Sequence, residues 1–177
     1  MEQVILVNEH DEEIGAMEKM QAHDEGLLHR AFSIFIFNDK GEMLLQQRAV
    51  NKYHSAGLWT NACCSHPRPG ESTKQAAQRR LKEELGFETP IEKIFHFTYK
   101  AAFENGLIEH EFDHVFSGKH SGEVMFNKNE AQDVCYRSMD EIESSLQTHS
   151  QKFTTWFCIA FPLVKKWYSE QAVRTAV

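Results

Sequence analysis

Between Pro69 and Phe87 the chain carries a full set of instructions for one helix, and no other stretch constrains the fold as tightly. Ser72 is a good N-cap and Gln75 follows it by three, the spacing of a capping box. Ala76, Ala77, Leu81 and Leu85 favour helix, and Gly86 suits the left-handed residue that ends one. The pattern predicts a helix from about Thr73 to Leu85. Ala77, Leu81 and Leu85 recur every four residues and face a core, which leaves Ala76, Arg80 and Glu84 together on a neighbouring stripe. Just upstream, Thr60-Asn61-Ala62-Cys63-Cys64-Ser65-His66-Pro67 sets a thiol two residues before an imidazole. Alone, that octapeptide reads as a buried cysteine beside a loop histidine. Ahead of a helix bearing carboxylates, it suggests metal-assisted proton chemistry.

The rest of the chain supplies strands. Gln3 to Val7 reads as a short strand, and Glu12 to Met20 is mixed. Ala31 to Phe37 and Glu42 to Gln47 read as partners across the turn Asn38-Asp39-Lys40-Gly41. Leu58 to Cys64, Ile94 to Phe103, Leu107 to Ser117 and Asp133 to Tyr136 are further strands, and a short helix covers Met139 to Leu146. A last helix runs from about Phe153 to Tyr168, where Pro162 is expected to kink it or end its first half. No repeat, low-complexity segment or linker interrupts this pattern. Residues 1–177 therefore read as one α/β domain, a mixed sheet between helices, and 41% hydrophobic residues suffice for its core. No apolar run approaches the roughly 20 residues of a membrane helix, and no basic-then-apolar leader opens the chain, so a cytoplasmic setting without membrane contact is expected. A formal charge of −7 argues against a nucleic-acid surface but leaves room for a small anion held by local cations. Cys63, Cys64, Cys135 and Cys158 form no CxxC pair and read as reduced thiols.

The stretch from Ser65 to Phe87 resembles the signature of the Nudix superfamily, a glycine, a glutamate, Arg-Glu, an aliphatic residue, Glu-Glu and a closing glycine at fixed spacing. Glu71, Arg79, Leu81, Glu83, Glu84, Gly86 and Phe87 fall in register. Ser65 stands where the first glycine belongs, and Arg80 replaces the first helical glutamate. In Nudix hydrolases that glutamate helps hold the magnesium that activates water, so Arg80 puts hydrolysis in doubt. The same departures resemble the type I isopentenyl-diphosphate isomerases, a Nudix branch with an Asn-x-x-Cys-x-His-Pro segment before an altered box. Here that segment is Asn61 to Pro67. Lys19, His23, His29, Ala31-Phe32-Ser33, Gln47-Arg48-Ala49, Lys52, Gly57 to Asn61, Tyr99, Glu109-His110-Glu111 and Trp156 extend the match across nearly the whole chain.

The resemblance implies a Nudix-like α/β/α sandwich and a prenyl diphosphate substrate, isopentenyl diphosphate, interconverted with dimethylallyl diphosphate. An unactivated alkene must gain a proton at one carbon and lose one at another, which requires an acid, a base and surroundings that tolerate a tertiary carbocation. By resemblance Cys64 and Glu111 move the protons, with Tyr99 supporting the glutamate. We expect Glu111 with Tyr99 to deliver the proton and a Cys64 thiolate, favoured by nearby cations, to remove the other. The resemblance assigns one divalent ion, manganese, zinc or magnesium, to His23, His29, His66, Glu109 and Glu111. It gives the diphosphate to Lys19, Arg48, Lys52 and Arg80, a bridging magnesium to Glu84, and the carbocation to the ring face of Trp156. Strand alternation puts Glu109, Glu111 and Asp113 on one face and His110 on the other, so His110 is a poor ligand. Gly26 breaks helical periodicity, which places His23 and His29 on a loop. His10, His54, His96, His120 and His149 match nothing and read as structural or surface residues. A monomer or weak homodimer is expected. Two other readings stay open: a nucleotide pyrophosphohydrolase, favoured by Glu71, Glu83 and Glu84, and a non-catalytic metal- or nucleotide-binding module.

Overall fold

Alternation along one central strand decides the layering. In the computed structural model, which describes residues 2–175, β3 (His29–Phe37) turns Phe32, Ile34 and Ile36 to one face of the sheet. There they pack with Ala76, Ala77, Leu81 and Leu85 of α2 (Thr73–Leu85). Phe35 and Phe37 turn the other way and meet Phe157, Ala160, Phe161 and Val164 of α4 (Thr155–Thr175). Helices thus cover both faces of one mixed sheet, as the sequence pattern requires. Helix α2 has the bounds its caps prescribe, with Ser72 accepting from the Gln75 N–H, Gln75 reaching back, and Gly86 closing the last turn at φ 75°. A short helix α3 (Met139–His149) follows the last strand.

The strand order explains where a pocket can open. β3 pairs antiparallel with β1 (Gln3–Val7) and β6 (Cys63–Ser65), and in parallel with β8 (Ile108–Lys119). β8 pairs in turn with β7 (Ile91–Ala102), and β1 with β2 (Glu13–Glu18). β4 (Met43–Arg48) meets β3 only at Phe37 and Met43, beside the hairpin, and otherwise lies between β5 (Trp59–Thr60) and β9 (Ala131–Arg137). The two halves of the sheet part beyond that hairpin, and polar residues line the cleft between them.

Three expectations need correction. Leu58 to Cys64 is two strands, because the Asn61 side chain donates to the Ile34 and Cys63 carbonyls where the chain crosses from β4 to β3. Pro162 does not end the last helix, which runs unbroken from Thr155–Thr175. A proline inside a helix costs about 3 kcal/mol, whereas burial of Phe157, Phe161 and Val164 on either side of it contributes roughly 1.5–3 kcal/mol each. His23 and His29 do not line a loop. His23 stands on α1 (Lys19–Glu25), which Gly26 caps at φ 62°, and His29 opens β3. Among the described residues no helix is long and apolar enough to cross a membrane.

Candidate active site

Four adjacent strands, in the order β6, β3, β8 and β7, carry the polar residues expected to act together. Cys64 lies opposite Ser33, His29 opposite Glu111, and Glu111 opposite Tyr99. His66 follows β6 and Trp156 projects from α4. Cys64, His66, Tyr99, Glu109, Glu111 and Trp156 line one cavity of about 470 Å³, together with Lys19, Arg48, Lys52, Arg80 and Glu84. His23 and His29 lie fully buried beside His66, with ring centroids 5.7 and 5.0 Å from it.

Three of these rings present nitrogens with no protein partner. His23 Nδ1 donates to the Lys19 carbonyl at 2.7 Å and His29 Nδ1 to the Leu27 carbonyl at 2.8 Å, which fixes both tautomers and leaves each Nε2 bare. His66 Nε2 is 3.0 Å from Glu111 Oε1, and its Nδ1 is bare. Ligand atoms of His23, His29, His66 and Glu111 lie within 4.8 Å of one another. Burial, with His66 and His29 adding to it, lowers the His23 pKa to about 4, and burial likewise lowers that of His66. Imidazole nitrogens beside a carboxylate are a donor set for a divalent cation. Each buried polar atom left bare costs roughly 1–3 kcal/mol, and a cation taken up here would relieve several at once.

Glu109 stands slightly apart from that set. Its Oε1 is 3.2 Å from His54 Nε2, and it groups with His54 and His23. The Tyr99 hydroxyl joins the two carboxylates, 2.9 Å from Glu109 Oε2 and 2.7 Å from Glu111 Oε2. One hydroxyl proton serves only one of those contacts, so the other needs a proton on a carboxyl. Burial and then Glu111 push the Glu109 pKa up, against the pull of His54 and Tyr99. Burial also pushes on Glu111, but His29 and His66 outweigh it and hold that carboxyl well below the usual range. Burial and the two carboxylates push the Tyr99 phenol well up.

Cys64 donates its S–H to Asn61 Oδ1 at 2.9 Å and accepts the Trp156 indole N–H at 3.1 Å. Ser33 Oγ lies 3.3 Å away and itself donates to Asp113 at 2.6 Å. Burial, then Asp113, raises the Cys64 pKa against the pull of Ser33 and Asn61, so the group is a thiol. The expected thiolate, favoured by nearby cations, is therefore corrected. The cations are engaged elsewhere: Arg48 lies over the Trp156 ring, 5.2 Å from its centroid, while Lys52 and Arg80 both pair with Glu130. Cys63 points to the opposite face and is fully buried against the α2 side of the core.

At the other end of the cavity every expected diphosphate ligand has an internal partner. Lys19 pairs with Glu2 at 3.2 Å, and Arg48 donates to the His54 carbonyl. Arg80 meets Glu83 at 2.8 Å, Glu84 at 2.7 Å and Glu130 at 3.0 Å. Glu84 sits here, also accepting from Gln46, and not in the histidine cluster. His54, read from sequence as structural or surface, is buried in the cavity wall, which is a second correction. Glu130 and the acceptor role of Asn61 were missed as well. The motif quoted Asn61, and its amide locked between two carbonyls is the only one of these signals a sequence could have carried.

Residues 27–157 match the NUDIX domain family. The chain is similar to the isopentenyl-diphosphate Delta-isomerase of Serratia proteamaculans, 51% identical over 156 residues that cover 88% of this chain and 87% of that protein. It is also similar to the isopentenyl-diphosphate Delta-isomerase of Pectobacterium atrosepticum, 46% identical over 166 residues, 94% of this chain and 93% of that one. Among solved structures, a Deinococcus radiodurans protein matches with a TM-score of 0.70 at 19% identity, covering 84% of this chain and 90% of that one. The MutT protein of Methanosarcina mazei matches with a TM-score of 0.65 at 22% identity, covering 81% and 95%. These two likenesses show the fold.

Proposed function

The chain belongs to the NUDIX family and, within it, to the isopentenyl-diphosphate Delta-isomerases, and on that footing we propose how its pocket moves a carbon–carbon double bond. It interconverts isopentenyl and dimethylallyl diphosphate in isoprenoid biosynthesis. In the forward direction Cys64 gives its proton to the terminal alkene carbon, whose π electrons form the new C–H bond of a methyl group. Positive charge then rests on the tertiary carbon, facing the ring of Trp156. Glu111 takes a proton from the adjacent methylene, and that C–H pair becomes the new double bond. Tyr99 steadies Glu111 through its hydroxyl.

What supports this order is the hydrogen bonding: Cys64 donates its S–H to Asn61 Oδ1, whereas Glu111 is met by His66 at 3.0 Å and Tyr99 at 2.7 Å, and burial raises the thiol's pKa while His29 and His66 lower the carboxyl's. This order reverses the direction expected from sequence. One turnover moves a proton from sulfur to carboxylate, which is the arrangement the reverse reaction starts from. His23, His29, His66, Glu109 and Glu111 would hold the divalent ion, which when bound supplies positive charge that favours the ionised carboxylates. Lys19, Lys52 and Arg80 would exchange their internal carboxylates, and Arg48 its bond to the His54 carbonyl, for the substrate's diphosphate, and Glu84 would hold the magnesium that accompanies it. Pyrophosphohydrolysis has no use for Cys64, and Arg80 removes a carboxylate it needs.

A proton NMR time course with isopentenyl diphosphate in deuterated water tests the reading. Exchangeable protons on sulfur and oxygen should place deuterium in the new methyl group of dimethylallyl diphosphate. Product free of deuterium would overturn delivery from Cys64, and release of orthophosphate or pyrophosphate would point to hydrolysis.

A further inference from the structure

We propose that His54 is a positioning residue of the metal-binding cluster, holding the Glu109 carboxylate in place by a hydrogen bond from its ring N–H. The inference rests on reading that cluster as a divalent-cation site. His54 belongs to the connection between β4 and β5, a segment that folds inward over the cavity. The fold accepts local strain to put it there: Ser55, next in the chain, adopts φ 50°, a left-handed conformation that costs a residue with a side chain roughly 1–2 kcal/mol. Phe103 stacks on the His54 ring at 4.8 Å, and Tyr53 and Trp156 meet it edge-on at 4.4 and 5.8 Å. A phenylalanine would fill that space equally well. What it would lack is the contact from Nε2 to Glu109 Oε1, 3.2 Å long, while Nδ1 rests 3.3 Å from Ser55 Oγ.

That contact decides how Glu109 is turned. Its Oε1 faces His54 and its Oε2 faces Tyr99, so both side-chain oxygens are tied and the carboxylate plane is set. Direct ligation by His54 is the competing role, since its ring nitrogen, His23 and Glu109 come within 4.8 Å of one another. His23, however, has committed Nδ1 to the Lys19 carbonyl and offers a single nitrogen, which serves one ion. The set it shares with His29, His66 and Glu111 is the larger, and two of its other rings also carry bare nitrogens. With Glu109 as the further donor proposed above, an ion drawn there leaves His54 behind it, as an outer partner of a ligand.

The test uses the full chain, stripped of metal and titrated with Mn²⁺ alone, with affinity read by calorimetry and by the electron paramagnetic resonance of free Mn²⁺. His54→Phe keeps the stack on Phe103 and removes the donor, and it should weaken Mn²⁺ binding by roughly 10–100-fold, as loss of an outer-shell partner does. His54→Gln restores an N–H donor and should bind within about threefold of the unsubstituted protein. If the phenylalanine variant does not fold, His54→Leu carries the same expectation. Unchanged affinity in His54→Phe would reduce the ring to packing and overturn the proposal. Equal weakening in Phe and Gln variants would make His54 a direct ligand and overturn it too. No prenyl diphosphate is present, so these outcomes are separate from the isomerase reading. Absence of any tight Mn²⁺ site in the unsubstituted protein would overturn the cluster reading itself.

Discussion

Replacing Trp156 separates the hydrogen bond it makes to Cys64 from the carbocation stabilisation proposed for its ring. The indole is 3% exposed, donates its N–H to Cys64 Sγ at 3.1 Å, and already has a guanidinium 5.2 Å from its ring centroid. Trp156→Phe keeps a π face and loses the hydrogen bond to sulfur, a net loss of about 1 kcal/mol or about fivefold in rate. Trp156→Leu fills space but has no quadrupole. A desolvated cation over an aromatic face is worth about 2 kcal/mol or more, so leucine should lose a further factor of about 30. The expected order in kcat is therefore wild type, then Phe down by about fivefold, then Leu down by about 150-fold. A loosened pocket also admits water, and the leucine variant should release some tertiary alcohol diphosphate beside the isomer. Turnover followed by NMR, with products identified by mass spectrometry at matched metal content and melting temperature, reads both effects. Equal kcat in the two variants, with no alcohol from either, would make Trp156 a packing residue and leave the carbocation without a stabiliser.

Cys64→Ala should lose at least about 10³ in kcat, whereas Cys63→Ala should keep turnover and lose about 1 kcal/mol of stability in a urea melt, because its sulfur fills the α2-side core; equal losses of turnover would mean the two side chains share a face. His66→Ala and Glu109→Ala should both reduce metal retained after dialysis, and added divalent ion should partly rescue the first; unchanged metal content by elemental analysis would remove them from the ligand set. Burial, then Lys93, lowers the His114 pKa from 6.5 to about 4. The unfolded chain thus takes a proton that the folded one refuses, so stability present above pH 6.5 is lost as pH falls towards 4, by up to about 2–3 kcal/mol. His114→Gln should flatten that dependence between urea melts at about pH 7.5 and 4.5, and parallel curves would show that His114 is not the group responsible.

What the sequence made legible was what short-range rules decide. Ser72, Gln75 and Gly86 act on backbone groups within one turn, and α2 has the bounds they set. Strand alternation placed Glu109 and Glu111 on one face and turned His110 away to the Gly26 carbonyl. Pairings between distant residues were not legible. Glu130 meets Arg80 across fifty positions and Lys52 across seventy-eight, and nothing local announces either. His54 lines the cavity next to Ser55, whose φ is 50°, and the identity of neither residue announces that placement. Protonation was misjudged for a similar reason. The Cys64 pKa is raised first by burial itself and then by Asp113, which comes from a strand that sequence places far away.

The charges on α2 show how this helix departs from the arrangement that Nudix hydrolysis requires. Activating water against a pyrophosphate takes a metal held by free carboxylates on this helix. Glu71 is locked to Arg79 through two contacts of 2.8 Å, and Glu83 is shared between Arg79 and Arg80. Glu84 is bound to Arg80 and to Gln46. Arg80 thus replaces one carboxylate, pairs with two of those that remain, and presents its guanidinium at the cavity, where a diphosphate would draw it away and free Glu84 for the accompanying magnesium. The metal donors that stay bare lie across the cleft, on α1, β3 and the segment after β6, where histidines replace glutamates. In the proposed reading, a diphosphate held at the α2 end would leave the hydrocarbon end of the substrate towards Cys64, Glu111 and Trp156, which line the same cavity.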